Sequence, residues 1–177
     1  RQLSRVLWWL SDGGIAISSS IRDFAVTVEG ANYDKIEVIH YGIDYAWTPD
    51  ETINHARESI RQELQLDEEA VLLGMVCRLV EQKGIPYTLE AFRCIYDYFP
   101  DTHLLIAGDG ELAGELKQQA KTLGISERVH WLGWREDAPQ VIASLDIFLM
   151  PSLWEGFGLV FLETMSARVP IIASRVS

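Results

Sequence analysis

The chain has 177 residues, enough for one domain with a sizeable core or for one domain and a fragment of another. Its 15 basic and 26 acidic side chains give a formal net charge of −11. A surface this acidic repels nucleic acid and acidic membranes, which argues against a nucleic-acid partner.

The sequence carries no metal or redox motif. Its two cysteines, Cys77 and Cys94, fall in a predicted strand and a predicted helix, and its four histidines lack the spacing of metal ligands. No apolar run approaches the ~20 residues that a membrane helix needs. We therefore expect a cytoplasmic protein without metal or cofactor, which in full-length form could at most lie at the membrane periphery.

Residues 1–44 are predicted to be the remnant of an N-terminal domain. Apolar side chains at helical spacing mark the first helix, and Trp8 and Trp9 make it unusually apolar. The predicted elements are a helix over 1–10, a strand over 15–18, a helix over 20–28 and a strand over 36–39.

Residues 45–69 are predicted to be a linker and the first helix of a second domain. Thr48 is the expected N-cap, Pro49 the first helical residue, and Glu51 the acid three residues beyond the cap. Apolar residues at helical spacing over 53–64 continue a half-buried helix.

Residues 70–177 alternate regularly between apolar runs and helical patterns. Strands that alternate with helices through short turns predict an α/β fold, a Rossmann-like parallel sheet with helices on both faces. In such sheets ligands bind beyond the carboxyl ends of the strands. The predicted strands are 71–77, 103–107, 128–132, 146–150 and 170–174, and the predicted helices are 86–98, 111–123, 137–143 and 158–167.

The turn after the fourth of these strands is the first candidate site. Gly156 and Gly158 mark a tight turn, and a helix that begins near Gly158 leaves its first backbone N–H groups unpaired. Those groups and the helix dipole attract phosphate. The pattern therefore predicts an anion site at this helix end.

Two carboxylates flank that turn. Glu155 precedes it, and Glu163 lies in the second turn of the helix. A carboxylate only accepts hydrogen bonds, so its natural partner beside a phosphate is a pair of sugar hydroxyls. The alternative is a capping acid at Glu155 and a solvated helix residue at Glu163, and Glu155 taken alone is better explained in that way. The apolar neighbours of Glu163 nevertheless lead us to expect that a polar group meets it, because burial of an unpartnered carboxylate is costly.

A basic pair follows the strand over 71–77. Arg78 and Lys83 share one loop and could clamp a diphosphate. Pairing of these cations with Glu81 or Glu90 on an ordinary surface loop is an equally good interpretation of the same residues.

A glycine-rich turn follows the next strand, over 108–114. It has three residues, where a dinucleotide fingerprint has two, between its second and third glycines, and no acidic residue stands directly at the end of the next strand to hold an NAD ribose. We interpret it as a tight strand-to-helix turn, which disfavours an NAD-linked enzyme.

Together these residues resemble the C-terminal half of retaining GT-B glycosyltransferases, family 4-like, group 1. The main motif is Glu155 with Glu163 in an E-x7-E pattern, and the resemblance covers nearly the whole chain. The supporting motifs, in chain order, are Cys77-Arg78-Leu79, Glu81-Gln82-Lys83-Gly84, Gly108-Asp109-Gly110, Arg128 to Gly133, Met150-Pro151-Ser152 and Pro170 to Ser174.

The resemblance implies a role for each candidate residue. Arg78 and Lys83 would grip the donor diphosphate in place of a metal ion, and Glu163 would accept hydrogen bonds from the ribose hydroxyls. Glu155 would contact the transferred sugar as the catalytic residue. The base would lie against the backbone around Gly133 and Trp134. The backbone N–H groups that would hold the phosphates or the sugar are those of Gly156, Phe157, Gly158 and Leu159.

Three positions depart from the family pattern. Cys77 and Arg168 stand where glycine is usual, and Tyr41 stands where asparagine is frequent. Because a left-handed residue often ends a helix, we expect the turn at Arg168 to be built differently. We also expect both ends of the chain to be cut from a longer protein, without the acceptor domain and a glycine loop.

The leading hypothesis is therefore a fragment of a metal-independent hexosyltransferase. It would bind a UDP-, GDP- or ADP-linked sugar for retaining transfer to a saccharide or lipid-linked acceptor, held by the missing N-terminal domain. The isolated fragment is expected to be inactive. The alternative is a non-catalytic nucleotide-sugar-binding or scaffolding module of the same fold.

Overall fold

A computed structural model describes residues 2–42 and 46–176, with Gln2 described by its backbone alone. The chain divides into two compact units. The first contains residues 1–44 and 155–159, and the second contains residues 45–154 and 160–176. No helix within the described ranges is long and apolar enough to cross a lipid bilayer.

The first unit contains the helices and strands predicted for the first part of the chain. The two strands pair in parallel, with Gly14 opposite Ile36. Ser18 caps the second helix, where its hydroxyl accepts a hydrogen bond from the Ile21 N–H. The elements are α1 (Gln2–Leu10), β1 (Gly14–Ala16), α2 (Ser19–Thr27) and β2 (Ile36–Val38), with a 3₁₀ turn at Tyr33–Lys35.

The second unit contains the sheet of the predicted α/β domain, and the bounds of the strands and helices agree with the predicted ones to within a few residues. The strands are β3 (Val71–Val76), β4 (Thr102–Ala107), β5 (Val129–Gly133), β6 (Ile147–Met150) and β7 (Ile171–Ala173). The helices are α3 (Asp50–Glu63), α4 (Ile85–Ile95), α5 (Ala113–Thr122), α6 (Ala138–Ala143) and α7 (Leu159–Ser166).

The five strands of the second unit form one parallel sheet in the order β5-β4-β3-β6-β7. Alternate strand residues face opposite sides, so Leu72 packs into one core and Leu73 into the other. Helices α3 and α6 contribute to the first core, and α4 and α5 to the second. The predicted Rossmann-like sheet with helices on both faces is confirmed.

The strand order reverses at β3. The chain runs outward from β3 through β4 to β5, then returns to the other side of β3 with β6. In open parallel sheets the crevice at such a reversal, beyond the carboxyl ends of the strands, is the usual place for a ligand. The fold therefore directs attention to the loops that follow β3 and β6.

The start of α3 differs from the predicted capping box. Pro49 occupies the N-cap position without a side-chain cap, and the helix begins at Asp50. Thr48 is instead engaged elsewhere, since its hydroxyl lies 3.4 Å from the Ser166 hydroxyl and its backbone N–H donates to the Ser166 carbonyl. Asp50 and Glu51 in the first turn supply the negative charge that favours a helix start.

The turn after α7 also differs from expectation. Arg168, with φ of 59°, itself adopts the left-handed conformation that a glycine would usually supply. Its guanidinium donates to the Thr48 carbonyl and pairs with Asp50. The turn therefore keeps its usual geometry, and these contacts help to hold a backbone conformation that is unfavourable for arginine.

One carboxylate joins α3 to the sheet. Asp146, just before β6, accepts hydrogen bonds from Arg57 at 2.7 Å, from Arg61 at 2.8 Å and from the Leu72 N–H at 2.7 Å. Arg61 is only 5% exposed. Burial lowers its pKa, and the neighbouring Arg57 adds to this effect, while Asp146 acts in the opposite direction.

Arg61 also binds the backbone at two further points. Its guanidinium donates to the Ser144 carbonyl and to the Ala70 carbonyl, each at 3.0 Å. These two carbonyls precede β6 and β3. One buried arginine and one carboxylate thus fix α3 against the amino ends of β3 and β6.

We expect Asp146→Ala to lower the free energy of unfolding by about 3–5 kcal/mol, because it leaves the buried Arg61 cation without its counter-charge. Urea unfolding followed by circular dichroism measures the change. Asp97→Ala is the matched control, since it removes an exposed carboxylate paired with Arg93 and should leave stability nearly unchanged. Equal stability of Asp146→Ala and wild type would refute this role.

Candidate active site

Backbone contacts join the loops that follow β3 and β4. The Leu79 N–H donates to the Asp109 carbonyl at 2.9 Å, and the Leu112 N–H donates to the Leu79 carbonyl at 3.1 Å. The approach is too close for side chains, since a Cβ on Gly108 would lie 1.8 Å from the Cys77 carbonyl oxygen and one on Gly110 would lie 2.4 Å from the Leu79 oxygen. Gly108 and Gly110 thus form the predicted tight turn, whereas Gly114 lies within α5.

The loop after β3 contacts the segment after β6 equally closely. Gly84 has φ of 63°, and a Cβ there would lie 2.0 Å from the Pro151 carbonyl oxygen. The Leu153 N–H donates to the Gln82 carbonyl, and the Gln82 side chain donates to the Trp154 carbonyl, both at 2.8 Å. The loop that carries the basic pair therefore lies between its two neighbours at the carboxyl edge of the sheet.

The structure places Arg78 and Lys83 on this central loop. Arg78 is exposed, and its side chain makes no hydrogen bond or ion pair with the residues described at 2–42 and 46–176. The alternative in which Arg78 pairs with Glu81 or Glu90 is therefore wrong. Lys83 is half-buried at the end of a 3₁₀ turn, directly before the left-handed Gly84.

Residues 155–159 are held within the first unit. A Cβ on Gly156 would lie 3.3 Å from the Ile17 side chain, and the Phe157 ring packs edge-on against Tyr41 with 5.9 Å between centroids. Gly158 has φ of 75° and directly precedes α7. The predicted tight turn is present, with the helix starting one residue later than expected.

The environment of Glu163 differs from the prediction. Its side chain is exposed, whereas Thr164 is the buried residue of α7 and donates its hydroxyl to the Val160 carbonyl. Met165, expected to help bury Glu163, is itself 51% exposed. The expectation that burial forces a polar partner on Glu163 is therefore wrong, because water can solvate this carboxylate.

Gly133 ends β5, and Trp134 begins the loop after it. Gly133 has φ of 66°, its carbonyl accepts a hydrogen bond from the Gly108 N–H, and Trp134 is 70% exposed. The family resemblance had placed the base near these residues. An exposed indole at the carboxyl edge of the sheet is chemically suited to stack on such a base.

Arg135 fixes this loop. Its guanidinium binds the Asp137 carboxylate through Nε and Nη2 at 2.7 and 2.8 Å, and donates to Glu63 at 2.7 Å. Hydrogen bonds to both acids raise the pKa of Arg135, and the hydrogen bond from Arg135 lowers the pKa of Asp137. The Arg-x-Asp spacing was the only sequence signal for this clamp.

Two histidines in the sheet, His103 and His130, lie at the opposite ends of the strands from these loops. His103 Nδ1 and His130 Nε2 lie 3.0 Å apart, near the amino ends of β4 and β5. Burial lowers the pKa of both imidazoles, and that of His103 is lowered further by His130 and Arg128. The described residues contain no group of three or more His, Cys, Asp or Glu side chains that could hold a metal ion.

A family model decides which proteins share this arrangement. The model for glycosyl transferases group 1 matches residues 56–177. The chain belongs to this family. The resemblance to group 1 GT-B glycosyltransferases is thereby confirmed, and the α/β domain is the C-terminal domain of a GT-B fold.

Individual relatives agree with this assignment. The chain is 37% identical over 147 residues to the Escherichia coli UDP-Gal:alpha-D-GlcNAc-diphosphoundecaprenol alpha-1,3-galactosyltransferase, covering 81% of this chain and 37% of that protein. The crystal structure of Anabaena Alr3699/HepE in complex with UDP and glucose matches with a TM-score of 0.84 at 28% identity, over 99% of this chain and 49% of that one. WaaG, at 22% identity and a TM-score of 0.76 over 92% of this chain and 44% of that one, shows the same fold. The group 1 chain thus spans less than half of the length of these relatives.

In this group 1 chain, Gly84→Ala should lower the free energy of unfolding by about 2–4 kcal/mol, because alanine combines a left-handed conformation with a clash against the Pro151 oxygen. Chemical denaturation measures the change. Gly114→Ala is the control, since no atom lies within 4 Å of its added Cβ and its stability should stay within about 1 kcal/mol of wild type. A harmless Gly84→Ala would show that the two loops are not held in close contact.

Proposed function

We propose that this chain binds the nucleotide-sugar donor of a retaining, metal-independent hexosyltransferase. The observation that carries the proposal is Arg78, an exposed guanidinium without an ion pair among the described residues, on the loop after the central strand β3. In a chain with net charge −11, a free cation at the carboxyl edge of a parallel sheet suits an anionic ligand.

The ligand proposed for this cation is the diphosphate of the donor. Arg78 offers a planar fork of N–H donors that matches phosphate oxygens, and Lys83 adds a second positive charge on the same loop. As the glycosidic bond breaks, negative charge grows on the leaving nucleoside diphosphate. Fixed cations stabilise that charge in the transition state and take the place of a metal ion.

The remaining residues recognise the other parts of the donor. Glu163, exposed on α7, accepts hydrogen bonds from the ribose hydroxyls, and Glu155 contacts the transferred sugar as the catalytic residue. The base lies at Gly133 and Trp134. The backbone N–H groups that donate to the phosphates or the sugar are those of Gly156, Phe157, Gly158 and Leu159.

The relatives support a UDP-linked donor. The Anabaena protein is described in complexes with UDP and with UDP-glucose, and the E. coli relative is named for transfer from UDP-Gal to a diphosphoundecaprenol-linked sugar. We extend this chemistry to the present chain as the donor-binding half of such an enzyme. The acceptor, a saccharide or a lipid-linked sugar, is bound by an N-terminal domain outside these residues.

Titration calorimetry with UDP, GDP and ADP, and with NAD for comparison, tests the proposal in the presence and absence of EDTA. We expect binding of at least one of the three nucleoside diphosphates to survive EDTA and to weaken about tenfold to hundredfold in Arg78→Ala, which removes a charge-assisted hydrogen bond. Glu163→Gln should weaken binding about tenfold, because a neutral amide is a poorer acceptor for the two hydroxyls.

Lys117→Ala removes an exposed cation from α5 and serves as the control. It should bind the nucleotide as wild type does. Preference for NAD, or binding that EDTA abolishes, would contradict the proposal. Absence of binding to all three nucleotides would leave only a scaffolding role for the fold.

A further inference from the structure

The segment between β6 and Glu155 ends in two partly exposed residues. Leu153 and Trp154 are 38% and 50% exposed, so their side chains anchor the backbone less firmly than fully buried ones would. Yet this backbone leads directly to the proposed sugar-binding residue, Glu155. Only Glu155–Gly158 separate Trp154 from the first residue of α7. Whatever holds residues 151–154 therefore limits where Glu155 can lie.

The first half of this segment is anchored from β7. Ser152 is 1% exposed, and its carbonyl accepts a hydrogen bond from the Ser174 hydroxyl. The Ser174 N–H also donates to the Met150 carbonyl, which extends the pairing of β6 with β7. These contacts fix the segment only as far as Ser152.

The second half is held by a single residue of the loop after β3. Gln82 accepts a hydrogen bond from the Leu153 N–H through its backbone carbonyl and donates one to the Trp154 carbonyl through its side chain, both at 2.8 Å. Gln82 is half-buried and directly precedes Lys83 within the 3₁₀ turn. The same residue thus holds Trp154 on one side and borders the proposed diphosphate-binding lysine on the other.

We infer that Gln82 is a positioning residue of the donor site, an inference that rests on the proposed function. It holds the chain that leads into Glu155 against the loop that carries Arg78 and Lys83. Without its side-chain hydrogen bond the Leu153–Trp154 backbone keeps only the bond from the Leu153 N–H to the Gln82 carbonyl as a hydrogen bond to that loop, so the Trp154 backbone can shift relative to it. The distance between the cations and the chain before Glu155 is then no longer fixed, so a diphosphate binds there with lower affinity.

The test compares nucleoside diphosphate and monophosphate binding in the wild type and in Gln82→Met, which keeps the length of the side chain and removes its N–H donor. Titrations use UDP with UMP, GDP with GMP and ADP with AMP. We expect Gln82→Met to bind the preferred diphosphate about tenfold more weakly and the matching monophosphate less than about threefold more weakly. Loss of a merely structural contact would weaken both by the same factor.

Gln118→Met is the matched control, because Gln118 is an exposed glutamine on α5. It should bind both nucleotides as wild type does. Melting temperatures of all variants are measured in parallel, and Gln82→Ala provides a second variant if Gln82→Met fails to fold.

The outcomes separate the two proposals. If wild type binds none of the diphosphates, the proposed function fails, and the role of Gln82 fails with it. If wild type binds but Gln82→Met and Gln82→Ala retain full diphosphate affinity, the role of Gln82 is refuted while the proposed function stands. An equal loss for diphosphate and monophosphate also refutes the positioning role.

Discussion

The close packing of backbone against backbone at the carboxyl edge of the sheet is the constraint on which the proposed site depends. The loop after β3 lies between two neighbours with no room for a Cβ at Gly84 or Gly108. Such close contact is possible only for glycine. Because contacts on both sides already fix the backbone that carries Arg78, a ligand loses no binding free energy to the ordering of this loop.

The order of the strands explains why this loop is the central one. Because the chain reverses direction at β3, the loops after β4 and β6 flank the loop after β3. The far ends of the same strands carry the Asp146 network, where one carboxylate binds two arginines and a strand N–H. The Asp146 network thus lies at the amino ends of the strands and the proposed ligand site at their carboxyl ends, the edge at which open parallel sheets bind ligands.

Most of the fold could be predicted because its signals are local. Apolar runs, helical spacing and glycine turns lie within a few residues of one another, and they gave the order and type of the strands and helices. The prediction that Thr48 caps α3 was wrong, because the Thr48 hydroxyl contacts the hydroxyl of Ser166, far along the chain. The prediction that Glu163 is buried was wrong, because the sequence of an apolar eight-residue helix does not show which of its faces packs on the sheet.

The charged residues of the proposed site come from sequence motifs, but the contacts that hold the surrounding loops do not. Arg78, Lys83 and Glu163 could be read from motifs, since each motif is short. Gln82 and Arg135 could not, because their partners Trp154 and Glu63 each lie 72 residues away in sequence. Contacts at that separation depend on strand order, which residue spacing alone does not specify.

A crystal structure of this chain with a bound nucleoside diphosphate sugar tests the central claim most directly. Our account predicts the diphosphate within hydrogen-bonding distance of the Arg78 guanidinium and the Lys83 ammonium, with the ribose hydroxyls on the Glu163 carboxylate. A donor bound elsewhere in the chain, or a ribose remote from Glu163 with that carboxylate facing only water, would contradict it.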